Sequence, residues 1–386
     1  MTDSSIGNLL YLLGCSLNGS MPKVEFIERM DLDGVLALAQ EHSVSAMAAM
    51  ALAQAQKLSD RWSHEIAVSE YRYAMMELQR EKVLAGLSEA GIRYVCLKGI
   101  VMAGLYPSPT MREMCDNDIL YDYTPEHQRT LLRIMENLGF KATSVDAWSH
   151  DAFEKEPIFN FEMHRKLFSD AEMPQMAQYF SDIWRRVLPA EGSSCEYVMT
   201  NADFYLHFIS HAYKHYLNGG FGLRTLCDFY VLNSAPRDDS QRVAAGLDAF
   251  GAAQFAETFS GLAQLLLAEP ERVWERIETL DAKQRNALGY MMRSGTYGTY
   301  EHVVANQVNL LEGQGTSLGA VRARYLMQRL FPSPKWMEEK YPALAKNPWA
   351  LPFFYAYRVV RGATVRCKNT NAEIRALDDE LSKRAR

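Results

Sequence analysis

Cysteine is sparse and unpatterned in this chain. Its six cysteines, Cys15, Cys96, Cys115, Cys195, Cys227 and Cys367, form no C-x-x-C pair and follow no regular spacing. That gives no support to a zinc ribbon or a dithiol redox motif, and scattered free thiols suit a reducing compartment. Cys96 and Cys227 sit among apolar neighbours, as inert core thiols do. Positive charge is not in excess either: 41 Lys and Arg stand against 47 Asp and Glu, a net charge of −6. Without a global basic field, no long nucleic acid is expected as a substrate. Uncharged apolar runs stop short of the roughly 18 residues that a transmembrane helix needs. The first residues lack a basic region leading into an apolar stretch and a small-residue cleavage site, so a cytoplasmic location is expected. The G-x-G-x-x-G fingerprint, the Walker A loop and the G-x-S-x-G elbow are also missing.

What is present is ample core material, since 48% of the 386 residues are hydrophobic. At about 100–200 residues per domain, two or three structural units are expected. The first ninety residues read as helix, and from Asp60 to Ala90 there is no Pro, and no Gly before Gly86. The period changes at Gly91. Ile92 to Leu97 is short, β-branched and aromatic, which predicts a strand. Asp116–Tyr121, Phe140–Val145 and Ile158–His164 are further candidate strands. Thr124-Pro125 opens a helix that Gly139 closes. From Met173 onward helical patterns return, with Ala202–Tyr216 and Arg224–Leu232 the clearest. The expected fold is therefore α+β: a helical region over 1–90, a small mixed-sheet α/β core over 91–170, and a helical domain over 171–386. Trp349–Tyr357 is the richest apolar run. It contains Pro352 and precedes Arg358, Arg361, Arg366 and Lys368. It reads as a core segment ending in a solvated face, with an interfacial membrane contact as the alternative.

The chemistry concentrates in LKGIVMAGLYPSPTMREMCDNDIL, residues 97–120. In a strand, residues i and i+2 share a face, so Asp116 and Asp118 project together, roughly 6–7 Å apart along the chain. Two such carboxylates repel when ionised, and a divalent cation resolves the repulsion. Oxygen ligands suit Mg²⁺ or Mn²⁺. A lone D-x-D also occurs in turns and solvated edges; its place before Ile119-Leu120 favours a site. Two-metal phosphoryl transfer gains from a further carboxylate. In Ile158–His164, alternation puts Phe159, Phe161 and Met163 on one face and Asn160, Glu162 and His164 on the other. Glu162 is the candidate third ligand, with a solvent-facing strand residue as the alternative. His207, His211 and His215 share a helix face, but H-E-x-x-H is absent. His207 and His215 would lie about 12 Å apart along the axis, too far to bind one ion. A structural role, or lining of a cleft, fits them better than zinc. Arg224 and Asp228, spaced i, i+4, read as a local pair or as the floor of an acceptor pocket.

These residues carry a resemblance. Leu97-Lys98-Gly99, Tyr106-Pro107, Arg112 and Asp116-x-Asp118-x-Leu120 resemble the uncharacterised bacterial nucleotidyltransferase family of the DNA polymerase β superfamily. Glu162-x-His164 resembles its acid-x-histidine strand. His211, His215, Leu223-Arg224 and Asp228 resemble its helical motif, and Phe331-Pro332-Ser333 a later turn. The similarity runs over about residues 65 to 360. It implies three metal carboxylates on adjacent strands, Asp116, Asp118 and Glu162, with Mg²⁺ or Mn²⁺ and a nucleoside triphosphate donor. The wider superfamily carries Gly-Gly or Gly-Ser after the first strand, where this chain has Lys98-Gly99. Phosphate contacts are then expected from Lys98, Arg112 and backbone amides beside Gly99. His164, His211, His215, Arg224 and Asp228 are the expected acceptor pocket. The implied reaction moves a nucleoside monophosphate, AMP first among them, to an unknown acceptor. A γ-phosphate transferase on the same scaffold and a non-catalytic nucleotide- or partner-binding module are the alternatives.

Overall fold

The proline-free run forms a single 30-residue helix, Asp60–Glu89. It ends where Gly91 takes up φ +67°, a turn that favours glycine. The computed structural model describes residues 3–236, 238–296, 298–312, 317–364 and 367–384. Seven strands follow the long helix: β1 (Tyr94–Cys96), β2 (Asn117–Tyr121), β3 (Lys141–Ser144), β4 (His150–Lys155), β5 (Phe159–His164), β6 (Leu188–Pro189) and β7 (Glu196–Val198). They form one sheet in the order β3-β4-β5-β2-β1-β7-β6. β2 pairs with β5, and β1 with β7, in parallel; the other neighbours are antiparallel, so the sheet is mixed. The fold is α+β, as expected.

The sheet runs past residue 170, because β6 and β7 lie at 188–198 and extend it beside β1. One sheet face packs Ile119, Tyr121, Phe159, Phe161 and Met163 against Val83 and Leu87 of the long helix and Leu131 and Met135 of the Pro125–Asn137 helix. Thr124 caps that last helix by accepting a hydrogen bond from the His127 amide at 3.0 Å. Alternation then turns Asp118, Leu120 and Glu162 to the opposite face. The helices before the sheet and those after it share one apolar core. Leu9–Leu13, Leu52 and Trp62 belong to the same cluster as Leu206, Phe229, Phe259 and Leu266. The helices up to Trp62 are thus packed with the later helices, and the rest of the long helix packs on the sheet.

Two local readings change. β4 was hidden from the periodicity because one of its buried positions is an acid: Asp151 is fully buried next to Phe153 on the same face. Asp151 is satisfied by Gln128 Nε2 at 2.9 Å and by the Asp146 amide at 2.8 Å. Trp349–Tyr357 is not core: Trp349 is 73% exposed and Phe353 69%. No described helix is long and apolar enough to cross a membrane.

His42 joins the two helical regions. It is fully buried, and its Nδ1 accepts a hydrogen bond from the Leu223 amide at 3.3 Å, while Nε2 has no partner among the described residues. Burial pushes its imidazole down from 6.5 to about 4. The folded-state value lies below the unfolded one, so above pH 6.5 both states are neutral and stability is unaffected. As the pH falls from 6.5 towards 4, the unfolded chain takes up the proton first and stability is lost. The loss expected from His42 reaches about 3 kcal/mol. Denaturant unfolding of wild type and His42→Asn at several pH values in this window checks it. The wild type should show the steeper decline, and parallel curves would show that the ring does not titrate as described.

Candidate active site

The site begins at the end of β1. Leu97 leads into the short helix Lys98–Ala103, whose first residue, Lys98, has φ +21°, a conformation that side-chain-bearing residues rarely adopt. The chain returns through the turn Pro109–Met111 and enters β2 at Asn117. The parallel register of β2 and β5 sets Asp118 directly opposite Glu162, and Leu120 opposite His164. Asp116 immediately precedes β2, two residues from Asp118.

Asp118 is the hub. Its Oδ1 lies 2.7 Å from His164 Nε2 and 3.2 Å from Lys98 Nζ, with all three side chains largely buried. Burial alone would push the Asp118 carboxyl up. The Lys98 ammonium and the His164 hydrogen bond outweigh it and hold the group well below the usual carboxylate range. Asp116 goes the other way: burial, then repulsion from Asp118, pushes it up to about 6. Glu162 and Lys98 also act on Asp116 electrostatically, so the three carboxylates share one field. Glu162 is more open, its side chain 28% exposed, and its Oε2 lies 3.6 Å from His164 Nε2. Burial works against ionising it, but the His164 hydrogen bond prevails and lowers its value.

His150 enters from β4, a residue that sequence reasoning passed over. It sits opposite His164 in the β4–β5 register, with Nε2 3.7 Å from Glu162 Oε2. Ligand atoms of His150, Glu162 and His164 all lie within 4.8 Å of one another, close enough to share one ion. Its signal would have been strand pairing, which the buried Asp151 obscured.

The helix Asn201–Leu217 brings the other histidines. His211 Nε2 is 2.8 Å from Lys98 Nζ, and His215 Nε2 is 3.2 Å from His211 Nε2. Burial and then the Lys98 ammonium hold His211 well below its ordinary value, so it meets Lys98 as a neutral ring. His207 instead packs in the core against Phe168 and Phe180.

One expected pairing is different, and it involves both arginines of this region. Arg112 is engaged by Asp228, donating from Nε at 2.8 Å and from a terminal nitrogen at 3.0 Å. Asp228 is therefore a buried counter-ion, also bonded by the Tyr106 hydroxyl at 2.7 Å. Arg224 does not pair with Asp228 one turn away. It donates to the Glu113 carbonyl at 3.1 Å, and its charge acts on Asp116. Gly99 is uncrowded: a Cβ there would meet nothing closer than 3.7 Å, the nearest atoms being on Arg112 and Met114. A separate apolar pocket of about 340 Å³, lined by Cys96, Val101, Tyr197 and Phe204 among others, touches none of the carboxylates.

Known proteins can now be set beside this geometry. No curated protein matches the sequence. Among solved structures, an antigenic nucleotidyltransferase-like protein from Paracoccidioides brasiliensis matches at 17% identity, covering 50% of this chain and 93% of its own, with a TM-score of 0.31. A family model described as uncharacterised nucleotidyltransferase matches residues 28–268. That span holds the carboxylates, Lys98 and the histidine helix, and it stops before Phe331-Pro332-Ser333. Since the match takes in well over half of the sequence, the chain belongs to the uncharacterised nucleotidyltransferase family.

Proposed function

We propose that this protein is a metal-dependent nucleotidyltransferase that moves a nucleoside monophosphate, AMP in the first instance, from a triphosphate to a hydroxyl-bearing small molecule or protein. The observation that carries the reading is the register placing Asp118 beside Glu162, with Asp116 two residues upstream. The residues present fit a divalent cation. Three carboxylates converge there; burial first, and then repulsion from Asp118 and Glu162, raises Asp116. Asp116, Asp118 and Glu162 would hold Mg²⁺ or Mn²⁺. Such an ion would neutralise phosphate charge and favour attack at the α-phosphorus.

The chain's own residues supply the rest. Lys98, 3.2 Å from Asp118, meets the triphosphate in this reading, with the Gly99 backbone beside it as a further phosphate contact. Glu162, the most accessible of the three acids, accepts the proton of the acceptor hydroxyl. The hydroxyl oxygen bonds to the α-phosphorus, the bond to the bridging oxygen breaks, and pyrophosphate leaves. His211 and His215 border the acceptor side. The Arg112–Asp228 pair holds the turn before β2 against the Leu223–Asn233 helix.

Incubation with triphosphates labelled at either the α- or the γ-phosphate, in the presence of a small-molecule and protein extract, separates the reactions. Label from the α-position on an acceptor, with pyrophosphate released, is the expected result. Transfer of the γ-label with release of a diphosphate would make the protein a phosphotransferase instead. The imidazoles add a finer expectation. Nitrogen donors favour Mn²⁺ over Mg²⁺, so the wild type should bind Mn²⁺ about tenfold more tightly or better. His150→Ala should narrow that gap in calorimetric titrations. An unchanged ratio would leave an oxygen-only centre.

A further inference from the structure

The helix Leu351–Thr364 is apolar on the side away from the protein. Trp349, in the turn before it, is 73% exposed; Phe353 is 69%, Val360 60% and Tyr357 50% exposed. These positions fall four, four and three residues apart, one stripe of a helix, with exposed Ala356 between them and exposed Ala363 just after. Trp349 and Phe353 touch edge to face, their ring centroids 6.4 Å apart. The inward side packs on the protein. The Tyr355 hydroxyl donates to the Pro332 carbonyl at 2.7 Å, Phe354 packs on Tyr341, and Arg358 lies over the Trp336 ring, 4.6 Å from its centroid. The helix thus sends Arg358 into the protein and Phe353, Tyr357 and Val360 into solvent, the reverse of what a soluble surface helix does at those positions.

Charge identifies what covers this face. From Lys340 to Ala372 the sequence holds six cations and no acid, inside a chain of net charge −6. Among the described residues, Lys346, Arg361 and Lys368 have no carboxylate within 4 Å. A second copy docked symmetrically would set these cations against themselves. An anionic lipid surface answers both properties at once: headgroups meet the cations, and Trp, Tyr and Phe enter the interface beneath. At 14 residues, about 21 Å, the helix is suited to lying in that plane and not to spanning the bilayer. It also lies beyond residues 28–268, so the family match does not account for it.

We infer that the Trp349–Val360 face is a peripheral docking site for an anionic membrane surface. Co-sedimentation of the full chain with phosphatidylcholine vesicles, with and without phosphatidylglycerol, tests it. The expected result is binding to the anionic vesicles, weakened at least about tenfold by high salt or by Phe353→Ser/Val360→Ser. Lys346→Glu/Arg361→Glu should weaken it likewise. Both pairs lie on the surface or in partly exposed positions, and circular dichroism confirms their folding. Failure to bind anionic vesicles, or binding that ignores both double variants, overturns the inference. A concentration-dependent dimer that Phe353→Ser/Val360→Ser dissolves, without vesicle binding, would give the face to a second copy and overturn it equally.

Discussion

Asp118→Asn is expected to lower the rate of nucleotidyl transfer on the order of 10³-fold, about 4 kcal/mol of transition-state stabilisation. The substitution keeps the shape of a side chain that is 3% exposed, but removes the charge on which Lys98 and His164 both converge. Loss of a buried charge also has a cost in stability, since Lys98 is left beside a neutral amide. Glu162→Gln separates the two effects. Its carboxylate is 28% exposed and has weaker structural ties, so folding should be nearly unchanged while the rate falls by a comparable factor. Rates measured beside thermal melts decide between them. If Glu162→Gln folds and keeps wild-type rates, the third carboxylate has no part in catalysis.

The largest stability effect is expected away from the carboxylates. Arg112 and Asp228 form a two-point ion pair whose side chains are 12% and 4% exposed. Asp228 also accepts from Tyr106, so its removal orphans three donors in the interior. Breaking a buried pair by deleting one partner costs about 3–5 kcal/mol, because the other charge stays buried without compensation. Asp228→Ala should therefore unfold at markedly lower urea concentration than the wild type. Arg112→Met/Asp228→Leu, which removes both charges, should recover most of the loss. A double variant as unstable as the single one would show that shape, not charge, dominates there.

The carboxylate centre was legible because its information is local. Asp116 and Asp118 declare a shared face by spacing alone, and Glu162 stands out as an acid alternating with Phe159, Phe161 and Met163. Only their juxtaposition needed the β2–β5 register. The Arg112–Asp228 pair spans 116 residues, and Arg224, one turn from Asp228, offered a nearer partner that the fold does not use. His150 was lost with β4, whose buried Asp151 breaks the apolar alternation and is paid for by hydrogen bonds that periodicity cannot see. Trp349–Tyr357 has the composition of a core. Its exposure follows from Arg358 taking the inward position over Trp336, a tertiary choice that hydropathy does not register. The second strand neighbour of β1 was missed because β7 is three residues long, too short for a periodic signal.

The proposed activity rests on Asp116, Asp118 and Glu162 forming a metal-dependent triphosphate site. The most direct measurement is calorimetric titration of the protein with each of the four ribonucleoside triphosphates, with and without Mg²⁺ or Mn²⁺, for wild type and for Asp116→Ala/Asp118→Ala. Metal-dependent binding of at least one triphosphate by the wild type is expected, lost in the double variant while the fold persists. Binding that survives the double substitution, or a folded wild type that binds no triphosphate with either metal, would contradict it.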